Sequence, residues 1–260
     1  MTPSDETMTP PVIILGVHRS GTSLLTRMME ALGLFVGHDL QGDHESRIFI
    51  QVNNKFFEKT QSSWDRPAYP TQEHIDANVI GGIVKANLPQ IRASFGPMNA
   101  PWGFKDPRTV TTLPLWKRLF PNAKIVYITR SPFDIAQSLT KRHNELIERG
   151  IFPRSGDFSK GNVRFTQRCA TVEGSLSFAL EQVDFIDRLK EGGTANPCLQ
   201  LSYEGLLRDP SAELRRIVRF IGLSPDRDAL TAAAAMPTNQ DAVKLQNVAG
   251  AYFPALSGTP

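Results

Sequence analysis

The chain has 260 residues, of which 40% are hydrophobic and 21% are charged, and its formal net charge at pH 7 is +3. This composition is typical of a globular protein and excludes a wholly disordered chain, and no apolar run approaches the roughly 18 residues that a transmembrane helix needs. The small excess of basic residues does not indicate a nucleic-acid-binding protein, although it is compatible with a local pocket for an anion.

The N-terminal residues 1–10 are polar and are predicted to be disordered. They lack the basic and apolar regions of a secretory signal, so we expect a cytoplasmic protein of the bacterial type. The two cysteines, Cys169 and Cys198, are too few for a disulfide framework and lie in no His/Cys cluster at metal-ligand spacing. We therefore expect a reduced compartment and no metal site.

The first predicted element is a buried strand from Val12 to Gly16, because these residues form a short continuous apolar run. Leucines and methionines then recur at helical spacing as far as Gly33, which predicts a helix. The connecting segment GVHRSGTS, residues 16–23, has the spacing of a phosphate-binding loop, in which glycines let the backbone curl around an anion. Thr22 stands where loops for nucleoside triphosphates carry lysine, which counts against an ATPase or kinase and leaves Arg19 as the available cation.

The rest of the chain is predicted to alternate between helices and strands. The predicted helices cover about 46–59, 75–91, 132–148, 172–189 and 210–221, and the predicted strands cover 102–105, 124–129 and 198–202. Ser131 and Pro132 open the third of these helices, and Asp209 and Pro210 open the last one. Residues 34–101 carry no clear strand pattern, and residues 231–260 carry little periodicity beyond a run of alanines.

This alternation predicts an α/β fold of three layers, in which a central, mostly parallel sheet is flanked by helices. We predict a single domain over residues 11–230 and a C-terminal tail, 231–260, that packs on or near the site. Ligands of such sheets bind at the carboxyl ends of the strands. The turn 17–23, Lys105 and Arg130 each follow a predicted strand, so we expect them to meet at one edge of the sheet.

Three segments resemble the family of sulfotransferases that use 3′-phosphoadenosine-5′-phosphosulfate (PAPS). GVHRSGTSLL resembles the loop that wraps the 5′-phosphosulfate, IVYITRSPFDIAQSL resembles the segment that binds the 3′-phosphate, and LSYEGLLRDP resembles a strand and capped helix of that family. In the second segment Ser138 lies eight residues after Arg130, and Arg142 follows one helical turn later on the same face, where the tyrosylprotein branch has an arginine.

The resemblance implies a P-loop-like sulfotransferase fold and PAPS as the cofactor, with adenosine 3′,5′-bisphosphate (PAP) as its product. It covers residues 12–33, 102–142 and 199–222 well, and it ends at about residue 230. The residues to which it assigns cofactor binding are Arg19, Ser20, Gly21, Thr22, Ser23, Arg130, Ser138, Arg142 and Tyr203.

The resemblance also implies a catalytic base. The segment GDHESR resembles the part of tyrosylprotein and many bacterial sulfotransferases that carries a catalytic glutamate, with an arginine two residues later; here these are Glu45 and Arg47. A buried carboxylate is a stronger base than an exposed one, which suits this role. Glu45 is therefore the predicted base, and His44 and His18 are the alternatives.

A catalytic cation is implied by the segment GFKDPR, which resembles the lysine motif of the branches with a glutamate base. The small-molecule cytosolic branch has a catalytic histidine shortly after this lysine, and here Asp106 and Pro107 occupy those places. Lys105 and Arg19 are therefore the predicted catalytic cations, and their substitution is expected to abolish turnover with little loss of fold. Arg108 has two candidate partners, the substrate or Asp106, between which the sequence does not decide.

The predicted function is the in-line transfer of a sulfuryl group from PAPS to a hydroxyl of a carbohydrate, a glycolipid or another metabolite. Such a protein needs a small-molecule or glycan acceptor, and neither nucleic acid nor a membrane span is expected. Trp64 either lines the acceptor pocket or serves in packing. The alternative function is a P-loop nucleotide kinase or NTPase with a degenerate loop, which requires an acidic strand end where this chain has Arg130. A non-catalytic module that keeps only the nucleotide fold is a third, less favoured reading.

Overall fold

The computed structural model describes residues 10–95, 101–151, 158–160, 163–191 and 196–237. The predicted disorder of residues 1–9, the predicted closure of the 75–91 helix at Gly96 and Pro97, and the tail beyond residue 237 lie outside this part. The strands are β1 (Val12–Leu15), β2 (Gly103–Lys105), β3 (Lys124–Thr129), β4 (Phe158–Lys160), β5 (Val163–Phe165) and β6 (Cys198–Ser202). The helices are α1 (Thr22–Ala31), α2 (Arg47–Lys59), α3 (Gln72–Asp76), α4 (Val79–Ala86), α5 (Leu88–Phe95), α6 (Thr109–Leu119), α7 (Pro132–Glu148), α8 (Val172–Glu191), α9 (Tyr203–Arg208), α10 (Pro210–Ile221) and α11 (Arg227–Ala234), with a 3₁₀ turn at Arg168–Ala170.

The central sheet has four strands in the order β2-β1-β3-β6, and every neighbouring pair is parallel. Strands β4 and β5 form a separate antiparallel pair. Each connection within the central sheet passes through at least one helix, as parallel pairing requires. The predicted α/β fold with a parallel sheet is therefore confirmed.

Helices cover both faces of this sheet, because successive strand residues point to opposite sides. Ile13 and Leu15 of β1 pack in one core with buried residues of α2, α4, α5, α6 and α8. Val12 and Ile14 pack in a second core with residues of α1, α9, α10 and α11. Burial on both faces explains why β1 and the middle of β3 are continuous apolar runs.

Two helical regions differ from their prediction. The single helix expected over 75–91 is divided into α3, α4 and α5, and Asn78 precedes α4 with a left-handed φ of 47° that asparagine tolerates better than most residues. Helix α6 was not predicted, because Pro114 and its β-branched residues have low helix propensity. Its buried face, which includes Val110 and Trp116, overrides that propensity through packing.

The C-terminal part departs from the predicted division at residue 230. Helix α11 spans that boundary; it begins after Asp226, whose side chain accepts a hydrogen bond from the Ala229 amide, and it buries Ala233 in the second core. The boundary of the domain thus stays a prediction, and the first residues of the predicted tail are helical. None of the helices in the described part of the chain combines the length and the apolar character that crossing a bilayer requires.

Candidate active site

The loop between β1 and α1 has a backbone that depends on its glycines. A Cβ on Gly16 would lie 2.5 Å from Ser20 Oγ, and a Cβ on Gly21 would lie 2.3 Å from the Tyr203 ring. Gly21 has φ 98°, and Arg19 adopts the left-handed region with φ 69°. Helix α1 then begins at Thr22 with no acidic residue in its first turn, so its N-terminus retains the positive end of the helix dipole.

Arg19 and two residues of the β3–α7 segment meet beside this loop. Arg19 Nε donates to Ser138 Oγ at 3.0 Å, and an Arg130 guanidinium nitrogen donates to the Arg19 carbonyl at 3.0 Å. The Arg130 guanidinium also lies over the Tyr203 ring, 4.8 Å from its centroid. The structure thus brings together residues of three segments that the sequence assigns to cofactor binding.

Arg142 lies one turn further along α7, at the pocket rim. Its guanidinium is 3.5 Å from the Asp43 carboxylate, and both side chains are about half exposed. Partial desolvation lowers the pKa of Arg19 from its ordinary value, and the positive charge of Arg142 adds to this effect. Like charges gathered in this way favour a bound anion.

Lys105, at the end of β2, is an internal cation. Its side chain is 1% exposed, and Nζ lies 3.2 Å from Glu45 Oε1 and 3.3 Å from Ser23 Oγ and also donates to the Asp43 carbonyl. Burial lowers the pKa of Lys105, and the Glu45 carboxylate opposes this shift. The loss of one partner of a buried ion pair strongly destabilises a fold, so the burial of Lys105 argues against the expectation that it can be substituted with little loss of fold.

Glu45 is held by further donors around Lys105. Gln41 Nε2 donates to Glu45 Oε2, and a guanidinium nitrogen of Arg108 lies 3.6 Å from the same oxygen. The same Arg108 nitrogen pairs with Asp106 at 2.7 Å, so the structure gives Arg108 both carboxylates as partners. Burial alone would lower the pKa of Arg108, but Asp106 and Glu45 outweigh it and the pKa is raised.

The two histidines considered as alternative bases have different surroundings. His44 Nδ1 lies 3.4 Å from the Glu30 carboxylate on α1, and His44 is not among the described residues that line the pocket. His18 does line the pocket, and its ring centroid is 4.7 Å from that of Trp64. Desolvation lowers the pKa of His18 well below its ordinary value, and Arg108 lowers it further, so the imidazole is neutral.

One pocket of about 390 Å³ lies at the carboxyl ends of the strands, and most of these groups line it, although Lys105 and His44 do not. Trp64 lines this pocket and also packs against Phe178, so its packing role is confirmed, and a role in an acceptor pocket stays a prediction. Several lining residues were not predicted from the sequence, although the α7 members continue the helical spacing of Ser138 and Arg142. The missed residues are Arg27, Gln41, Asp43, Leu139, His143 and Leu146.

Comparison with known proteins identifies the family. The sequence pattern of the family described as "Sulfotransferase family" matches residues 10–228. The chain belongs to this family. Among curated relatives of this chain, protein-tyrosine sulfotransferase A of Caenorhabditis elegans is 25% identical over 223 residues, which are 85% of this chain and 52% of the relative. Protein-tyrosine sulfotransferase 1 of Danio rerio is 24% identical over 225 residues, 85% of this chain and 55% of the relative.

The chain spans little more than half the length of those two curated relatives. Solved structures agree on the fold. A sulfotransferase from Mycobacterium avium aligns with 96% of this chain and 70% of its own at a TM-score of 0.58 and 14% identity. A sulfotransferase from Alicyclobacillus acidocaldarius aligns with 93% of this chain and 96% of its own at a TM-score of 0.50 and 18% identity.

Proposed function

We propose that the protein transfers a sulfuryl group from PAPS to a hydroxyl group of an acceptor. The observation that carries this proposal is the meeting of an anion-binding loop with a buried acid–base pair in one pocket. Arg19, Arg130, Ser138 and Glu45 line that pocket, and the buried Lys105 contacts Glu45 and Ser23 of its lining.

The residues present fit the anionic groups of PAPS. The loop offers backbone N–H groups and a helix N-terminus for the 5′-phosphosulfate, and the Ser20 hydroxyl is buried there without a hydrogen-bond partner in the described part of the chain. Arg130, Ser138 and Arg142 would hold the 3′-phosphate, with charge-assisted hydrogen bonds from the guanidinium groups. Tyr203 packs under Arg130 and keeps it at the end of β3.

Bound PAPS would supply the sulfuryl group and a phosphate leaving group. Glu45 is oriented by Lys105, Gln41 and Arg108, and a carboxylate retains lone pairs with which it would take the proton of the acceptor hydroxyl. Lys105 contacts Ser23 as well as Glu45, so its charge acts on both the anion loop and the base. Arg19 lies in the loop itself and would add a second positive charge there.

The acceptor that we propose is a hydroxyl of a carbohydrate, a glycolipid or another metabolite. The pocket combines the apolar surfaces of Trp64 and Leu146 with polar groups, which suits a ring that carries hydroxyls. A peptide tyrosine is a second candidate, because both curated relatives are named as protein-tyrosine sulfotransferases. A cytoplasmic location stays a prediction of the sequence.

Calorimetric titration with PAP, against ATP with Mg²⁺, tests the cofactor. We expect tight binding of PAP that needs no metal and is lost in Arg130→Ala. Lys141→Ala is the control, because Lys141 is an exposed cation on α7, the helix that follows Arg130, and does not line the pocket. A preference for ATP with Mg²⁺ would instead support a kinase or NTPase and would refute the roles of Glu45 and Lys105.

The acceptor is tested by turnover with PAPS and two panels of compounds, hydroxylated sugars with glycolipids and tyrosine-containing peptides. Transfer to the first panel, detected by the mass of the sulfated product, would support our proposal. Transfer to the peptides alone would replace it with the activity named for the relatives.

A further inference from the structure

A buried polar hub lies behind the base, at Asn53 of α2. Asn53 is fully buried, and its carboxamide has two donor and two acceptor positions. Asn53 Nδ2 donates to Asp106 Oδ2 at 2.8 Å and to Thr109 Oγ1 at 3.0 Å. Its Oδ1 accepts from Thr112 Oγ1 at 2.7 Å and from Trp116 Nε1 at 2.9 Å. Every hydrogen-bonding position of Asn53 is therefore used.

The hub continues to the predicted base through Asp106. The second oxygen of Asp106, Oδ1, accepts from a guanidinium nitrogen of Arg108 at 2.7 Å and from the Arg108 amide at 3.1 Å. The same guanidinium nitrogen lies 3.6 Å from Glu45 Oε2. A continuous series of contacts thus runs from Asn53 through Asp106 and Arg108 to Glu45.

The positions of these residues in the chain make the series a brace between two loops. Glu45 lies just before α2, the helix that carries Asn53, and Arg108 lies just before α6, the helix that carries Thr109, Thr112 and Trp116. A fully satisfied polar network in a low-dielectric interior is rigid, because any displacement leaves a buried polar group without a partner. The hub therefore fixes the loop of Glu45 relative to the loop of Arg108.

We infer that Asn53 and Asp106 are positioning residues that hold Arg108, and through it Glu45, in the geometry needed for proton transfer. This inference rests on the proposed function, because it assigns Glu45 the role of base. Neither Asn53 nor Asp106 lines the pocket in the described structure, so their action is through Arg108.

The test compares Asn53→Leu with Thr112→Val. Both substitutions remove buried hydrogen bonds of the hub, but Thr112→Val leaves the bond between Asn53 and Asp106 intact. We expect Asn53→Leu to lower kcat roughly 10- to 100-fold, as loss of a supporting contact does, while acceptor KM and PAP affinity change by less than about 3-fold. Thr112→Val should lower the thermal midpoint but keep kcat within about 3-fold. If Thr112→Val lowers kcat as much as Asn53→Leu does, Asn53 has only a structural role.

A double-mutant cycle with Glu45→Gln separates positioning from general distortion. If Asn53 acts through Glu45, adding Asn53→Leu to Glu45→Gln should change kcat by less than about 2-fold, because residues that act as a unit are not additive. If Asn53→Leu lowers kcat by the same factor in the Glu45→Gln protein as in the wild type, the inference is overturned. If Asn53→Leu does not fold, Asp106→Asn, which keeps the side-chain shape, takes its place in the cycle.

The two proposals fail in different ways. A wild-type protein without turnover of PAPS refutes the proposed function and the positioning role with it. If the wild-type protein turns over PAPS and the losses of kcat in the double-mutant cycle are additive, only the positioning role is refuted.

Discussion

The charged residues on the two sides of the pocket differ in their exposure and in the number of their partners within the protein. On the anion side, Arg19 and Arg142 are partly exposed, and each has few protein partners in the described structure. On the base side, Lys105, Glu45 and Asp106 are buried and are bonded to one another or to neighbouring side chains. The base side is thus bonded largely within the protein, whereas the anion side keeps guanidinium groups for the ligand that we propose.

This difference separates binding from folding. Removal of a group on the anion side takes away ligand contacts and leaves little in the protein unpaired. Removal of a group on the base side leaves a buried charge or polar atom without its partner, and that destabilises the fold as well as the chemistry. Substitutions on each side therefore test whether the anion side affects ligand binding and the base side affects the stability of the fold.

The largest expected effect is on the base side. Lys105→Met should lower the free energy of unfolding by about 3–5 kcal/mol, because it leaves Glu45 buried without its closest cation. The double variant Lys105→Met with Glu45→Gln should lose less than the sum of the two single losses. Urea denaturation measures all three variants, and additive losses would show that the two residues do not depend on each other.

The anion side should show the opposite behaviour at Arg19. Arg19→Gly removes the guanidinium and relieves a left-handed backbone of φ 69°. We expect PAP affinity to fall by about 2–3 kcal/mol, the value of a charge-assisted hydrogen bond. The free energy of unfolding should stay unchanged or rise by up to about 1 kcal/mol, because glycine adopts this conformation without strain. A clear loss of stability in calorimetry would contradict the division between the two sides.

His18, which lies between the two sides of the pocket, should make the free energy of unfolding depend on pH. Its pKa is lowered in the folded protein, so the unfolded chain binds a proton first as the pH falls below the ordinary value of 6.5. Stability is then lost with falling pH in the window between that value and the lower folded pKa. Between about pH 7.5 and about pH 5.5, the wild type should lose about 1 kcal/mol more than His18→Gln. Equal losses in urea denaturation would show that His18 stays unprotonated in both states or titrates in both alike.

The smallest expected effect concerns the rim contact between Arg142 and Asp43. Asp43→Asn frees Arg142 before the ligand arrives, so PAP should bind more tightly by about 0.5–1 kcal/mol, the usual size of an exposed ion pair. Asp39→Asn, which breaks the exposed pair with Arg47, is the control and should leave PAP affinity unchanged. Weaker binding of PAP by Asp43→Asn would mean that Asp43 orients Arg142 for the ligand.

The anion side could be predicted because its groups follow local rules. Gly16, Arg19 and Gly21 lie in a loop between a strand and a helix, and Ser138 and Arg142 follow Arg130 at helical spacing. Such spacings determine which residues share a face whatever the rest of the fold does. The partner of Arg142, by contrast, could not be predicted, because Asp43 lies about a hundred residues away in the chain.

The contacts and the burial on the base side could be learned only from the tertiary structure. The segments of Glu45 and Lys105 could be recognised in the sequence, but their 3.2 Å contact and the burial of Lys105 could not. Nothing in the sequence indicated the hub at Asn53, because an asparagine within a helix is more often exposed than buried. Helix α6 was also missed, because its Pro114 and β-branched residues oppose a helix locally.

The alternation of strands and helices and the glycine-containing loop between β1 and α1 could thus be read from the sequence, which also predicts that ligands bind at this edge of the sheet. These depend on periodicity and on backbone rules that act over a few residues. The tertiary structure decided which charges are buried, what pairs with them and how Asn53 reaches Glu45. Such contacts join residues of distant segments, and their free energies depend on burial, which a spacing pattern does not contain.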